Sequence, residues 1–190
     1  MFVGAVLALS LTACAMAQEE ATIDRLAEQA RGAEGKQQVE LLSQLASKGK
    51  PALASLLALM AEDERALANG AMQHAIKIKD SRVLPALLRR LEGASPDGKS
   101  TVLLAIGNHQ NPKALKKLLP YLKSPSRTIR VAAAYALGRI GDPSANSALD
   151  VLAADPDHSV RWQAKKSREW IKSMVAKYPD RLKGESWWDD

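Results

Sequence analysis

Cysteine and aromatic residues are scarce in this sequence. Its 190 residues include one Cys, one Phe, three Tyr and four Trp, so aromatic side chains make up only 4% of the chain. A single cysteine cannot form an intrachain disulfide, which excludes stabilisation or redox chemistry by paired thiols. Apolar residues nevertheless make up 46% of the chain, and most of them are Ala and Leu, which favour helices over strands.

Catalytic and metal-binding patterns are also missing from the sequence. No Gly-x-Ser-x-Gly turn and no phosphate-binding Gly loop occurs. The three histidines are followed by Ala, Gln and Ser and have no Cys or carboxylate at ligand spacing, so we expect surface or capping roles for His74, His109 and His158. The sequence therefore predicts a protein that is not an enzyme and that needs no metal and no cofactor.

The N-terminal residues 2–13 form an uncharged apolar run. A membrane-spanning helix needs about 20 apolar residues, whereas an export signal needs only about 7 to 15, followed by small residues. We therefore interpret residues 1–17 as an export signal. An exported protein of this kind is expected in the periplasm or anchored to the cell envelope by a lipid.

Two cleavage sites fit this segment. Leu-Thr-Ala-Cys at residues 11–14 resembles the bacterial lipobox, in which Cys14 receives the lipid, and Ala-Met-Ala at residues 15–17 resembles an ordinary signal-peptidase site. The sequence does not choose between them. Cys14 is therefore a lipidation candidate, and contact with a membrane is expected only through that lipid.

Charge is distributed unevenly along the chain. Residues 1–76 contain 6 basic and 9 acidic side chains, whereas residues 77–183 contain 21 basic and 9 acidic ones. Such an excess attracts anionic partners at long range, although a solvated helix face produces the same composition. We therefore expect a binding surface in the basic half of the chain.

A period of 31 residues is the main signal in the sequence. The turn residues Gly49, Asp80, Asn111 and Asp142 follow one another at this spacing, and a leucine-rich helical stretch comes after each of them. Leu56, Leu87, Leu118 and Leu149 coincide in all four copies. Each copy therefore predicts a helical hairpin that must stack on its neighbours to bury its apolar side.

The repeat predicts the organisation of the whole chain. We expect an N-terminal helix over about 21–31, four hairpins over 36–154 and a final helix over about 158–176. The corresponding regions are an N-terminal capping helix (18–35), a repeat domain (36–176) and a C-terminal tail or cap (177–190) that contains Trp187 and Trp188. Core or cap packing is the favoured interpretation of Trp162 and Trp170 in the final helix.

Residues 128–143, Thr-Ile-Arg-Val-Ala-Ala-Ala-Tyr-Ala-Leu-Gly-Arg-Ile-Gly-Asp-Pro, resemble HEAT repeats, especially the short bacterial form named after phycobilisome lyases. Residues 155–161, Asp-Pro-Asp-His-Ser-Val-Arg, resemble the start of another repeat. The resemblance implies an all-α fold, a right-handed α-α superhelix (HEAT-like solenoid) of about four to five helical hairpins. It also implies that second helices line a concave face, and that Arg130 and Arg161 stabilise turns between copies.

The resemblance implies an interaction scaffold, because most proteins of this family bind partners and only a few are enzymes. Basic residues in or beside the second helices make the concave face the candidate binding surface. We expect a protein partner; a polyanion, either a nucleic acid or an anionic envelope polymer, is the alternative, and a lyase or other enzyme is less favoured. The candidate residues are Arg89, Arg90, Lys113, Lys116, Lys117 and Tyr121.

Overall fold

The computed structural model describes residues 2–179, with side chains from residue 13 onward. Every regular element in this range is helical, as the repeat predicts. None of its helices combines the length and the apolar character that a membrane crossing requires. The chain forms two compact units, the first ending at Ile78 and the second beginning at Lys79.

The first unit contains four α-helices: α1 (Phe2–Arg31), α2 (Gly35–Ser47), α3 (Leu53–Met60) and α4 (Arg65–Ala75). Helix α1 packs on α2, and α3 packs on α4. A short 3₁₀ turn, Lys50–Ala52, starts the second helix of the first hairpin, with Pro51 in its first turn. The core of this unit is made of buried apolar side chains that include Leu42, Leu45, Leu56, Leu59 and Met72.

Helix α1 is longer than the sequence predicts. It begins at Phe2, whereas the expected helix began near residue 21. The intervening segment is rich in Ala and Leu and lacks proline, so its backbone favours the helix across the junction. The interpretation of residues 1–17 as an export signal stays a prediction.

The second unit contains six α-helices: α5 (Val83–Gly93), α6 (Pro96–His109), α7 (Leu115–Leu118), α8 (Arg127–Ile140), α9 (Asn146–Val151) and α10 (His158–Lys177). Helices α6, α8 and α10 are the first helices of successive copies, and α8 packs against both of the others. The second helices α7 and α9 are short, and 3₁₀ turns extend them at both ends. The prediction of stacked helical hairpins is confirmed.

The turn residues that mark the repeat make the same hydrogen bond before each second helix of this unit, and two of them, Asn111 and Asp142, are the N-caps of the 3₁₀ turns that start α7 and α9. The side-chain oxygens of Asp80, Asn111 and Asp142 accept hydrogen bonds from the backbone N–H two residues further on, at 2.9, 3.0 and 2.9 Å. These bonds satisfy N–H groups that the first helical turn leaves without partners. The repeat period therefore reflects the regular placement of helix caps.

Close contact between first helices depends on two glycines at equivalent positions. A Cβ on Gly107 would lie 2.6 Å from the Cα of Ala136, and a Cβ on Gly138 would lie 2.6 Å from the Cβ of Ser167. Any side chain there would push α6 from α8, or α8 from α10. The hydroxyl of Ser167 also donates to the carbonyl of Ala134 at 2.7 Å, so the α8–α10 contact contains a buried hydrogen bond.

Two sequence-based expectations about side-chain environment are wrong. His109 is fully buried at the end of α6, where we expected a surface or capping residue, because α6 packs against both α5 and α8. Trp162 is 53% exposed and lies outside the core. Trp170 is partly exposed, and one face of its ring packs against the guanidinium of Arg139, 4.7 Å from the ring centre.

Candidate functional site

Four cations of the second unit are exposed and form what we call the basic face: Arg89 in α5, Lys116 and Lys117 in α7, and Lys123 in the 3₁₀ turn that follows α7. Within the described part of the chain, none of the four makes an ion pair or a hydrogen bond. Their charges therefore stay available to a partner.

The sequence positions these lysines by burying the leucines between them. The side chains of Leu115, Leu118 and Leu122 face the core. Positions 116 and 117, between two of these leucines, and position 123, directly after the third, face solvent. Lys123 lies seven residues after Lys116, which is about two helical turns. This spacing in the sequence could have identified Lys123 as a further residue of the predicted surface.

Most acidic side chains of this unit are already held in ion pairs. Residues 79–179 contain eight acidic side chains, and five of them are held in ion pairs. The carboxylates of Asp80, Asp150, Asp155, Asp157 and Glu169 pair with Arg82, Arg168, Arg130, Arg127 and Lys166 respectively. Few acidic side chains are therefore left to offset the basic side chains that make no ion pair, and these include the four of the basic face.

Three further predicted residues, Arg90, Lys113 and Tyr121, lie in α5 and in the 3₁₀ turns on either side of α7. Lys113 is exposed, Arg90 is half-buried, and both have polar interactions within the protein. Tyr121 is half-buried; burial raises the pKa of its phenol, and the negative charge of Glu92 raises it further. The phenol therefore stays neutral, and Glu92 of α5 lies close enough to act on the segment that carries the lysines.

Apolar groups adjoin these cations. Leu88 and Leu119 occupy equivalent positions in successive copies, and both are only half-buried. Together with the ring of Tyr121 they add partly exposed apolar area to the charged surface. Such a mixture of apolar groups and long-range positive charge is what protein interfaces commonly contain.

Arg130 has a structural role, as the resemblance implied. Its Nη1 donates to the carbonyls of Ser124 and Pro125 at 2.9 and 3.1 Å, in the turn before its own helix. Its Nε and Nη2 donate to the carboxylate of Asp155, in the next turn, at 2.8 and 3.0 Å. Hydrogen bonding to Arg130 lowers the pKa of Asp155, although partial burial opposes the shift.

The lipidation candidate lies in the other unit. Cys14 is exposed on α1. No group of three or more His, Cys, Asp or Glu side chains suited to a metal occurs among the residues that the structure describes. The predicted tail residues Trp187 and Trp188 lie outside the described residues.

Residues 84–167 match the family model described as HEAT repeats. No curated protein matches the chain. Among solved structures, the designed armadillo repeat protein YIII(Dq)4CqI covers 77% of this chain and 98% of its own, at 17% identity and a TM-score of 0.37. That likeness is too low to carry an argument.

The helical hairpins of the second unit and the family match define the class: this is an all-α repeat protein of the α-solenoid type. The segment that matches the HEAT-repeat model, residues 84–167, contains α6 to α9 completely. Stacked repeats of this class typically serve as non-catalytic scaffolds that bind proteins on extended surfaces.

Proposed function

We propose that this protein is a non-catalytic scaffold of the bacterial cell envelope, and that its basic face binds an acidic surface of a partner protein. The observation that carries the proposal is the exposed group of Arg89, Lys116, Lys117 and Lys123, which makes no ion pair in the described residues, whereas most acidic side chains of the unit are already paired. A surface of one sign increases association rates with partners of the opposite sign.

The apolar groups beside the cations favour a protein over a polyanion. A site that only follows a phosphate backbone gains nothing from the apolar groups of Leu88, Leu119 and Tyr121. These groups suit the apolar part of a protein interface. A polyanion, a nucleic acid or an envelope polymer, is the alternative, and the uncompensated charge itself favours it.

The assignment to the envelope rests on the N-terminal sequence. The apolar run of residues 2–13 and the lipobox-like residues 11–14 support export and attachment of a lipid to Cys14, whose side chain is exposed. The fit of residues 128–143 to the short repeats named after phycobilisome lyases supports the bacterial subtype. Binding without catalysis is the role that most proteins of that form have.

The binding proposal is tested by charge reversal in two places. We expect Lys116→Glu/Lys117→Glu to lose a partner that the wild type captures from detergent-solubilised envelopes. A matched control, Lys36→Glu/Lys77→Glu, reverses two exposed lysines of the first unit, outside the basic face, and should retain it. Quantitative mass spectrometry of the captured proteins measures both. Equal recovery by the two variants would contradict a role for the basic face.

Salt dependence separates the two kinds of partner. Binding of duplex DNA through phosphates should weaken with a log–log slope of about −0.9 for each contact. For the protein partner we expect a shallower slope, because the apolar contacts are not screened by salt. Fluorescence anisotropy with labelled DNA, and with the captured protein, measures the two slopes.

Localisation is tested separately by palmitate labelling in cells. We expect the wild type to incorporate the label and to sediment with the membrane fraction, and Cys14→Ala to lose the label. Label retained by Cys14→Ala would exclude Cys14 as the lipid site. An unlabelled wild type recovered in the periplasmic fraction would instead favour cleavage after residue 17.

A further inference from the structure

Arg161 repeats the position of Arg130, 31 residues later in the chain. Its Nη1 donates to the carbonyls of Asp155 and Pro156 at 2.7 and 2.9 Å, just as the Nη1 of Arg130 donates to the two equivalent carbonyls one copy earlier. The guanidinium of Arg161 is therefore fixed to the turn before α10. Its orientation is set by the protein before any partner arrives.

The two arginines differ at the opposite edge of the guanidinium. The Nε and Nη2 of Arg130 hold the carboxylate of Asp155 in a bidentate pair. In the described residues, the same edge of Arg161 meets no acceptor, and its side chain is only half-buried. The described residues thus contain one filled and one open copy of the same carboxylate site.

The surroundings of the open edge are basic. Arg161, Lys165, Arg168 and Lys172 follow one another at intervals of four, three and four residues, so they lie in one row on α10. Only Arg168 is paired within the described residues, with Asp150 at 2.7 Å. The row therefore attracts negative charge toward the open edge.

We infer that the open edge of Arg161 is a docking site for the carboxylate of an Asp or Glu in a partner protein, presented from a turn at the start of a helix. The filled copy shows which group the open edge can bind: Arg130 binds the carboxylate of Asp155, which precedes the first turn of α10. A fixed guanidinium matches a planar carboxylate with two parallel hydrogen bonds, which a lysine cannot do. A second copy of this chain would bring an identical basic row, so like charges oppose a symmetric pairing of the two rows.

The inference is independent of the basic face, which lies on second helices, so the two proposals fail separately. The test uses the full chain and a probe taken from the filled copy: the peptide Ala-Asp-Pro-Asp-His-Ser of residues 154–159, acetylated, amidated and fluorescently labelled. We expect saturable binding by anisotropy, with a shift of the Arg161 Nε–Hε signal in an NMR titration. The Asp155→Asn form of the peptide should lose both.

Protein variants locate the site. Arg161→Lys keeps the charge but removes the planar fork that makes two parallel hydrogen bonds, and we expect binding to weaken by at least about fivefold. Arg168→Lys makes the same change in the other arginine of the row and should bind as the wild type does. Thermal unfolding of both variants verifies that they are folded.

Four results would overturn the inference. The first is equal binding of the Asp and Asn peptides, and the second is equal binding by wild type and Arg161→Lys. The third is binding that appears only after removal of residues 180–190, since the open edge would then belong to the tail of this chain. Absence of binding by the full chain to either peptide has the same consequence.

Discussion

Helices α8 and α10 are copies of one another, 31 residues apart. Their residues are alike on one side of the helix and different on the other. The rows that face the preceding helix are alike, with Ile129 and Ala133 in α8 matching Val160 and Ala164 in α10, and all four side chains are buried. The rows that face away are unlike. Ala134, Leu137 and Gly138 of α8 correspond to Lys165, Arg168 and Glu169 of α10.

The difference is explained by the neighbours of each helix. Helix α8 lies against both α6 and α10, so it is buried on two sides and its outward row must be small and apolar. Helix α10 buries only one narrow row, and three charged side chains occupy the positions that would receive another helix in the same way. Because charges are costly to bury without partners, we expect these side chains to close the stack at α10, as the polar outer face of a capping helix does.

The largest expected effect concerns the glycine that α10 has lost. Gly138→Val would place its Cβ against Ser167, whose Cα is only 2.8 Å from that position, so α8 and α10 must separate. We expect a loss of about 3 kcal/mol in the free energy of unfolding. The matched change in α10, Glu169→Val, should alter it by less than about 0.5 kcal/mol, because this position is exposed. Urea unfolding measures both, and equal losses would contradict the contrast between the two helices.

A smaller difference is expected between the two arginines. Arg130→Ala removes hydrogen bonds to two turn carbonyls and leaves the carboxylate of Asp155, 6% exposed, without its cation, so we expect a loss of about 2 kcal/mol. Arg161→Ala loses only the two bonds to its own turn and should cost about 1 kcal/mol or less. A greater loss for Arg161→Ala in the same urea experiment would mean that its outer edge is filled.

The pH dependence of the Arg130–Asp155 pair sharpens this contrast further. The native pKa of Asp155 lies below its ordinary value of 3.8, so the native state holds this proton less tightly than the unfolded chain does. The stabilisation is thus fully present above that value and is lost as the pH falls through the lower native pKa. We expect the difference in unfolding free energy between wild type and Asp155→Asn to be constant from about pH 7 to about pH 5 and to shrink below pH 3.8.

The background variant Arg130→Ala provides the control for this titration. Without the guanidinium, the main cause of the lowered pKa of Asp155 is gone, so the effect of Asp155→Asn should depend much less on pH. A pH dependence that is unchanged in this background would assign the shift to another group.

Much of the second unit could be predicted because its repeat is made of local signals. The turn residues Asp80, Asn111 and Asp142 can be identified from sequence as side chains that bond to the backbone before a helix, and the leucines between them define buried faces by spacing alone. The candidate lysines 116 and 117 could be chosen for the same reason, since residues between buried leucines must face solvent. The helix map therefore needed no information about distant contacts.

The features that could not be predicted depend on contacts between residues that lie far apart in the sequence. His109 is buried and Trp162 is exposed because of which helices have neighbours on both sides. The ion pair between Arg130 and Asp155 joins residues 25 apart, and the difference between Arg130 and Arg161 arises only from the groups that lie next to each guanidinium in space. The repeat period could have paired these arginines, but it could not say that one edge is open.

The closing role of α10 is tested most directly by giving it the outer row of α8. The variant Lys165→Ala/Arg168→Leu/Glu169→Gly makes the two helices alike at these positions, and it exposes an apolar row that can pack against another helix. Sedimentation velocity should show a mass that rises with concentration for this variant more steeply than for the wild type. Identical sedimentation of the two proteins over the same concentration range would contradict the claim that these charges close the stack.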